Sequence, residues 1–272
     1  MHYGQEAMPL ILELPTWLTG LLTIGFFVGA SLVGLALSRV WSRRRGLHAL
    51  VDNGVIGWIF SAILGIYAIA IGLIAVATWG NSSEASAVAS HEAASLGALF
   101  RDVSGYPDPI RGDLQRLVRE YATDVIETEW PLQQAGEIPT TGGEILDRLE
   151  NRLYAFEPDT DGQEAVHAEG LDSFNQVVED RRQRLEAVDY AVPKTLWGVV
   201  LAGAAIAIVA SFVFNIESFQ VHALMTCLLA AMIGLLVFFI IITDHPYHGP
   251  AGVSPEAYQL LLRDLIDPRL AH

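Results

Sequence analysis

The sequence predicts an all-α integral membrane protein with four transmembrane helices and an α-helical soluble insert between spans two and three. Three observations carry this. Four long segments, Trp17 to Leu37, Val55 to Trp79, Thr195 to Asn215 and Ala223 to Thr243, contain no Asp, Glu, Lys or Arg. The chain carries a formal charge of −15, and the block from Gly80 to Pro193 holds 23 acidic against 9 basic residues, so nearly all of the acidity sits between spans two and three. Within that block apolar residues recur at helical intervals and no alternating strand pattern competes.

Each apolar segment has about the 20 residues that cross roughly 30 Å of hydrocarbon as a helix. A charged side chain at a helix centre costs about 2.5–3.5 kcal/mol on insertion scales, so four clean segments mark membrane spans rather than core helices. Backbone in lipid must satisfy its own hydrogen bonds, which makes each of them a helix. The first segment reads as a span and not as a secretory signal. It is long for an h-region, its upstream flank is acidic (Glu6, Glu13), and a basic cluster follows it. The expected regions are 1–79 for the first membrane pair (spans about 17–37 and 55–79), 80–193 for the acidic insert, 194–243 for the second pair (spans about 195–215 and 223–243), and 244–272 for a tail.

Arg39, Arg43, Arg44 and Arg45 close span one. Short basic loops stay in the cytoplasm, which places 38–54 inside and both the insert and the termini outside. Arg181, Arg182, Arg184 and Lys194 before span three vote the other way, with less weight because they belong to a long loop.

In the insert, Ala85, Val88, Leu96, Leu99 and Val103 form a helical stripe that continues span two. Tyr106-Pro107-Asp108-Pro109 is a turn; Asp108 is the expected N-cap and Pro109 the first residue of a helix to about Thr128, ended by Trp130-Pro131. Helices over about 143–156 and 163–191 follow, and Ser254-Pro255-Glu256 opens a short amphipathic helix with Tyr258, Leu260, Leu261 and Leu265.

Span two holds the most organised pattern. Gly57, Ser61, Gly65, Ala68, Gly72 and Ala75 recur every three or four residues and make one narrow face. Such a face serves close helix packing, or it lines a pore whose constriction is shaped by the large neighbours Ile59, Phe60, Ile63 and Ile66. Four spans seldom enclose a pore alone, so a pore requires a cyclic homo-oligomer with span two around the axis. The lack of charge at membrane depth argues against a proton-relay pump. Beyond span two, Glu84, His91 and Glu92 are either a solvated face or rings at a pore mouth that tune ions, with His91 responsive near pH 6. Asp244, His245 and His248 are metal or proton ligands by type, but their spacing fits no specific site, and a hydrogen-bonded turn is the favoured reading. Trp58, Trp79, Trp197, Tyr190 and Tyr67 fit interfacial belts or packing. Cys227 lies alone within span four. No nucleophile motif, phosphate-binding loop or Cys/His ligand spacing appears, so no enzyme activity, no metal and no cofactor is expected, and the acidic charge excludes nucleic acid as a partner.

Two spans, a helical insert and two more spans, with a Glu-bearing helix after span two, then Glu129-Trp130-Pro131 and Asp244-x-Pro246-x-x-Gly249, resemble the bacterial bestrophin-like domain family. The run Ser61-x-x-Leu64-Gly65-x-Tyr67 is similar, more distantly, to the second span of bestrophin channels. That resemblance implies a pentameric channel whose second span lines a hydrophobic neck, with the insert as a vestibule on the cytoplasmic side, opposite to the arginine reading. Small inorganic ions and the lipid bilayer of an inner (plasma) membrane are the expected partners. Acidic charge favours cations and the resemblance favours anions. The alternative is a non-conducting membrane scaffold or sensor whose insert binds a partner.

Overall fold

The computed structural model describes residues 14–45, 53–249 and 252–266, without the side chains of 42–45. Glu6, Glu13, Pro250, the tail beyond 266, most of the loop after span one and the side chains of Arg43, Arg44 and Arg45 lie outside the described residues. The described residues are helical, with no strand among them. In chain order they form α1 (Thr16–Arg45), α2 (Asn53–Asp102), a 3-10 turn (Val103–Gly105), α3 (Ile110–Asp124), a π-turn (Val125–Glu129) and α4 (Trp130–Gln134). Then come α5 (Thr141–Tyr154), α6 (Asp161–Glu186), a 3-10 turn (Ala187–Asp189), α7 (Lys194–Ser211), α8 (Phe219–Asp244), α9 (Glu256–Leu261) and a π-turn (Leu262–Ile266). Four of these helices, α1, α2, α7 and α8, are long and apolar enough to span a membrane, and the chain is a multi-pass membrane protein.

The chain divides into two compact units: residues 1–80, 191–244 and 249–251 form one, and 81–190, 245–248 and 252–272 the other. In the membrane unit, small residues set the packing. A Cβ at Gly234 would come within 3.1 Å of the Ile24 backbone, and one at Gly20 within 3.3 Å of the Phe238 ring, so α1 and α8 approach closely only because these positions lack side chains. Gly203 of α7 receives the Tyr67 ring of α2 in the same way, and the Tyr67 hydroxyl donates to the Val200 carbonyl at 3.2 Å. Thr243 donates to Thr78 at 2.9 Å, a polar tie between α8 and α2 that lipid cannot replace.

The second unit is a helical domain around one apolar core built from α2 beyond residue 81, α3, α5, α6 and the α9 segment. Three expectations are corrected here. Pro109, not Asp108, occupies the N-cap of α3, and Asp108 pairs with Arg111 instead. Trp130-Pro131 does not end the chain's helical course: the π-turn takes the Trp130 N–H back to the Val125 carbonyl, and α4 continues with Pro131 in its first turn. The widened turn re-phases the hydrogen-bond ladder, so the donor that proline lacks is not missed. Lastly, α6 ends at Glu186 and a 3-10 turn leads on, rather than one helix to 191. At its start Thr160 accepts from the Gln163 amide at 3.2 Å, a regular N-cap.

Candidate functional site: span two and a buried charge cluster

Along α2, Tyr67, Ile71, Ala75 and Thr78 are buried and form the face turned to its own chain. The sequence-derived pore candidates fall on other sides of this helix, and not on one. At 100° per residue the small residues Gly57, Ser61, Gly65, Ala68 and Gly72 share one side, while Ile59, Ile63 and Ile66 lie roughly opposite. A Cβ added at Gly57, Gly65 or Gly72 meets nothing within 4 Å, so the small face is open in the protomer. Ser61 and Ala68 are exposed there. Ile59 and Ile66 are 57% and 73% exposed, whereas Ile63 is half-buried. Phe60 is edge-on to Phe214 of its own chain, ring centroids 5.2 Å apart. That packing turns the half-buried Phe60 toward its own chain. Only 11% of the most apolar stretch of α2 is buried, against 17% for α1, 28% for α7 and 33% for α8, so α2 is the least covered span and α1 is close to it.

Glu84 and His91 are exposed on α2. Glu92 is not: it has no solvent exposure, and the expectation that it tunes ions at a mouth is overturned. Its place on the apolar stripe Ala85, Ala89, Ala93, Leu96 sends it into the core of the second unit. There Arg184 donates from Nε to Glu92 Oε2 at 2.6 Å and from Nη2 to Glu129 Oε2 at 2.7 Å. Its remaining terminal nitrogen donates to Gln133 Oε1 at 2.8 Å. Tyr121 donates to Glu92 at 2.5 Å. Glu129 also accepts from Arg181 and, at 3.0 Å, from the Gly142 amide. Two carboxylates and two guanidiniums thus cancel, and the oxygens and nitrogens are nearly all used. A buried ion set is tolerable only when paired and hydrogen-bonded in this way. Burial pushes the Tyr121 phenol well above its usual pKa, and the Glu92 charge pushes it further. For Arg184 burial is the largest single effect and works against the charge, but Glu92, Tyr258 and Tyr121 together exceed it and the net pKa is raised.

Sequence reasoning missed this cluster, although a signal existed. Arg184 continues the buried stripe of α6, Gly170, Phe174, Val177, and Glu92 interrupts the buried stripe of α2. A charge on an apolar stripe implies an oppositely charged partner on a facing stripe.

The remaining motifs prove to be joints. Glu129 of Glu-Trp-Pro belongs to the cluster, and Trp130 packs edge-on to Tyr247 and Tyr258 while its indole N–H donates to the Val253 carbonyl at 3.2 Å. Asp244 ends α8 and accepts from the Val192 amide and, at 3.0 Å, from the Trp197 indole. The Pro246 carbonyl accepts from the Val253 amide at 2.8 Å, and Gly249 turns the chain at φ 72°, a conformation costly for other residues. His245 and His248 lie ring to ring, centroids 5.1 Å apart. Among the described residues no group of three or more His, Cys, Asp or Glu is placed to hold a metal.

A family model, the Bestrophin-like domain, matches residues 25–258. The chain belongs to the Bestrophin-like family. The match runs from within α1 into α9 and so takes in part of the first span, the other three spans and the charge cluster. No curated protein and no solved structure matches. For this Bestrophin-like chain the Glu-Trp-Pro and Asp-x-Pro residues hold the fold, while α2 and, nearly as much, α1 are the spans that the chain itself covers least.

Proposed function

We propose that this protein is a homo-oligomeric ion channel, pentameric by family analogy, with α2 around the axis. The observation that carries the reading is the exposure of α2: it is the least covered span, and its small-residue side has room for a neighbour at Gly57, Gly65 and Gly72. The inward face centred on Tyr67 and Ile71 supports one orientation of α2 in such a ring. In a ring, the side opposite that face points to the axis and the two flanks meet neighbours. The small side and the Ile59 side are those flanks. The axial side then carries Ile69, Leu73 and Val76, exposed to 68%, 68% and 70%, with Ile66 beside them. This is a hydrophobic lining of the kind that gates by dewetting. Glu84 and His91 remain as groups that act on passing ions, and no catalytic role is assigned.

The unit of residues 81–190 is the extramembrane insert, placed outside by the arginine rule. The opposing vote of Arg181 and Arg184 loses weight, because both guanidiniums are neutralised by Glu129 and Glu92 inside the fold.

Current through the purified protein in a planar bilayer under a KCl gradient tests the proposal. Stepwise current, with a reversal potential whose sign separates cations from anions, supports it. Ile69→Ala or Leu73→Ala raises the open probability if these residues form the constriction. A silent bilayer together with silent vesicle flux sinks the channel. Labelling of a cysteine at Asp161 by an impermeant maleimide in intact cells or spheroplasts tests the orientation.

A further inference from the structure

A long groove on the second unit has the shape and charge of a helix-docking site. It runs between α5 and α6, with a volume of about 500 Å³. Its apolar lining comes from Ile138, Leu146, Phe174, Val178 and Leu185. Along α6 it extends from Phe174 to Glu186, about 18 Å of helix, and on to Asp189 in the turn that follows. On α5 it is lined by Gly143, Leu146, Asp147 and Glu150, one helical ridge. Such a trough between two helices receives a third one along its length.

Two further observations point to an occupant. Among the described residues of this unit the exposed large apolar ones are Ile138, Tyr154, Val178 and Leu260, and Ile138 and Val178 line the groove. Ile138 and Val178 thus put exposed apolar surface side by side in one trough of an acidic domain. The rim is also acidic. Asp147, Glu150 and Asp189 make no ion pair among the described residues, while Arg181 is turned to Glu129 and Arg182 is held by Glu179 and Glu186. The charge left over is negative.

From the apolar floor and this rim we infer that the groove binds a basic amphipathic helix of a partner protein, with leucine-type residues on the floor and lysine or arginine over Asp147, Glu150 and Asp189. Gly143 supplies a clean probe. A Cβ there meets nothing within 4 Å, and its backbone is ordinary helix, so Gly143→Leu starts a bulky side chain into the groove from an open position and raises helix propensity. Val178→Asp spoils the floor while making the surface more acidic.

The test uses the full chain in nanodiscs of zwitterionic lipid and a labelled leucine–lysine amphipathic peptide of about 15 residues, about 22 Å as a helix. Fluorescence anisotropy is read against empty discs. The expected result is saturable binding above the empty-disc signal, weakened at least about tenfold by Gly143→Leu and by Val178→Asp. General attraction to an acidic surface would be unchanged by the first and strengthened by the second, and either result overturns the inference, as does the absence of binding above empty discs. If Val178→Asp does not fold, Gly143→Leu decides alone. A photo-crosslinker at Val178 in cell membranes that yields only an adduct of twice the chain mass assigns the groove to a second copy and overturns the partner.

Discussion

One helix, α2, obeys opposite rules in its two halves. From 53 to 80 many of its large apolar residues are exposed, with Trp58 83% and Ile66 73%, and only a narrow face around Tyr67 and Ile71 is buried. From 81 to 102 they point inward, and Ala85, Leu96 and Leu99 have no exposure at all. The backbone is continuous and the side chains are of similar type, so the surroundings decide. In hydrocarbon an exposed isoleucine loses nothing, and small residues and hydroxyls make the helix contacts. In water the same exposure costs about 25 cal/mol per Å², and the apolar stripe closes on a core. The polar groups reverse as well. Within the spans they are few and uncharged, Thr78 with Thr243 for example, whereas the second unit buries a full ion cluster.

This contrast is open to attack, most strongly at Arg184. Arg184→Leu leaves Glu92 and Glu129 buried with too few donors, and an unpaired buried charge costs about 3–5 kcal/mol. The second unit should then fail to fold or melt at much lower temperature, as read by circular dichroism of the purified chain. Gly203→Leu in α7 is the next largest. Its side chain would overlap the Tyr67 ring, and overpacking of this kind costs about 1–3 kcal/mol, seen as loss of detergent-resistant protein. Thr243→Val removes one interhelical hydrogen bond, with an expected loss of about 0.6 kcal/mol in steric-trap or unfolding assays.

The histidine pair adds a weak pH dependence. Burial and then the His245 charge hold the His248 pKa below its usual value of 6.5. The unfolded chain therefore takes up this proton first, so the stabilising contribution is complete above about pH 6.5 and is lost as pH falls toward the lowered value. Thermal melts should show a small decline on going from about pH 7.5 to 5.5, and His248→Gln should flatten it. Gly65→Val is the mildest for the protomer. Its surroundings are empty, so melting should not change, whereas cross-linking between copies should drop if the small side of α2 meets a neighbour.

The four spans were legible because insertion into hydrocarbon depends on composition over about 20 residues, a property of sequence alone. The continuous α2 and the helices of the second unit were legible because a 3.6-residue period is local too. The run through Trp130-Pro131 was not, since a π-turn that re-phases the ladder for one proline depends on how α3 is held by its neighbours. Phe60 and Glu92 show the same boundary. Each was assigned from its place along α2, and each was claimed by a partner far away in the chain, Phe214 in one case and Arg184 in the other. The sequence by itself thus determined the spans, the charge partition and the helical class, because hydropathy and periodicity act over neighbouring residues. Only the tertiary structure decided which face of α2 stays uncovered and which charges are hidden, because both depend on what packs against a helix from outside its own stretch of chain.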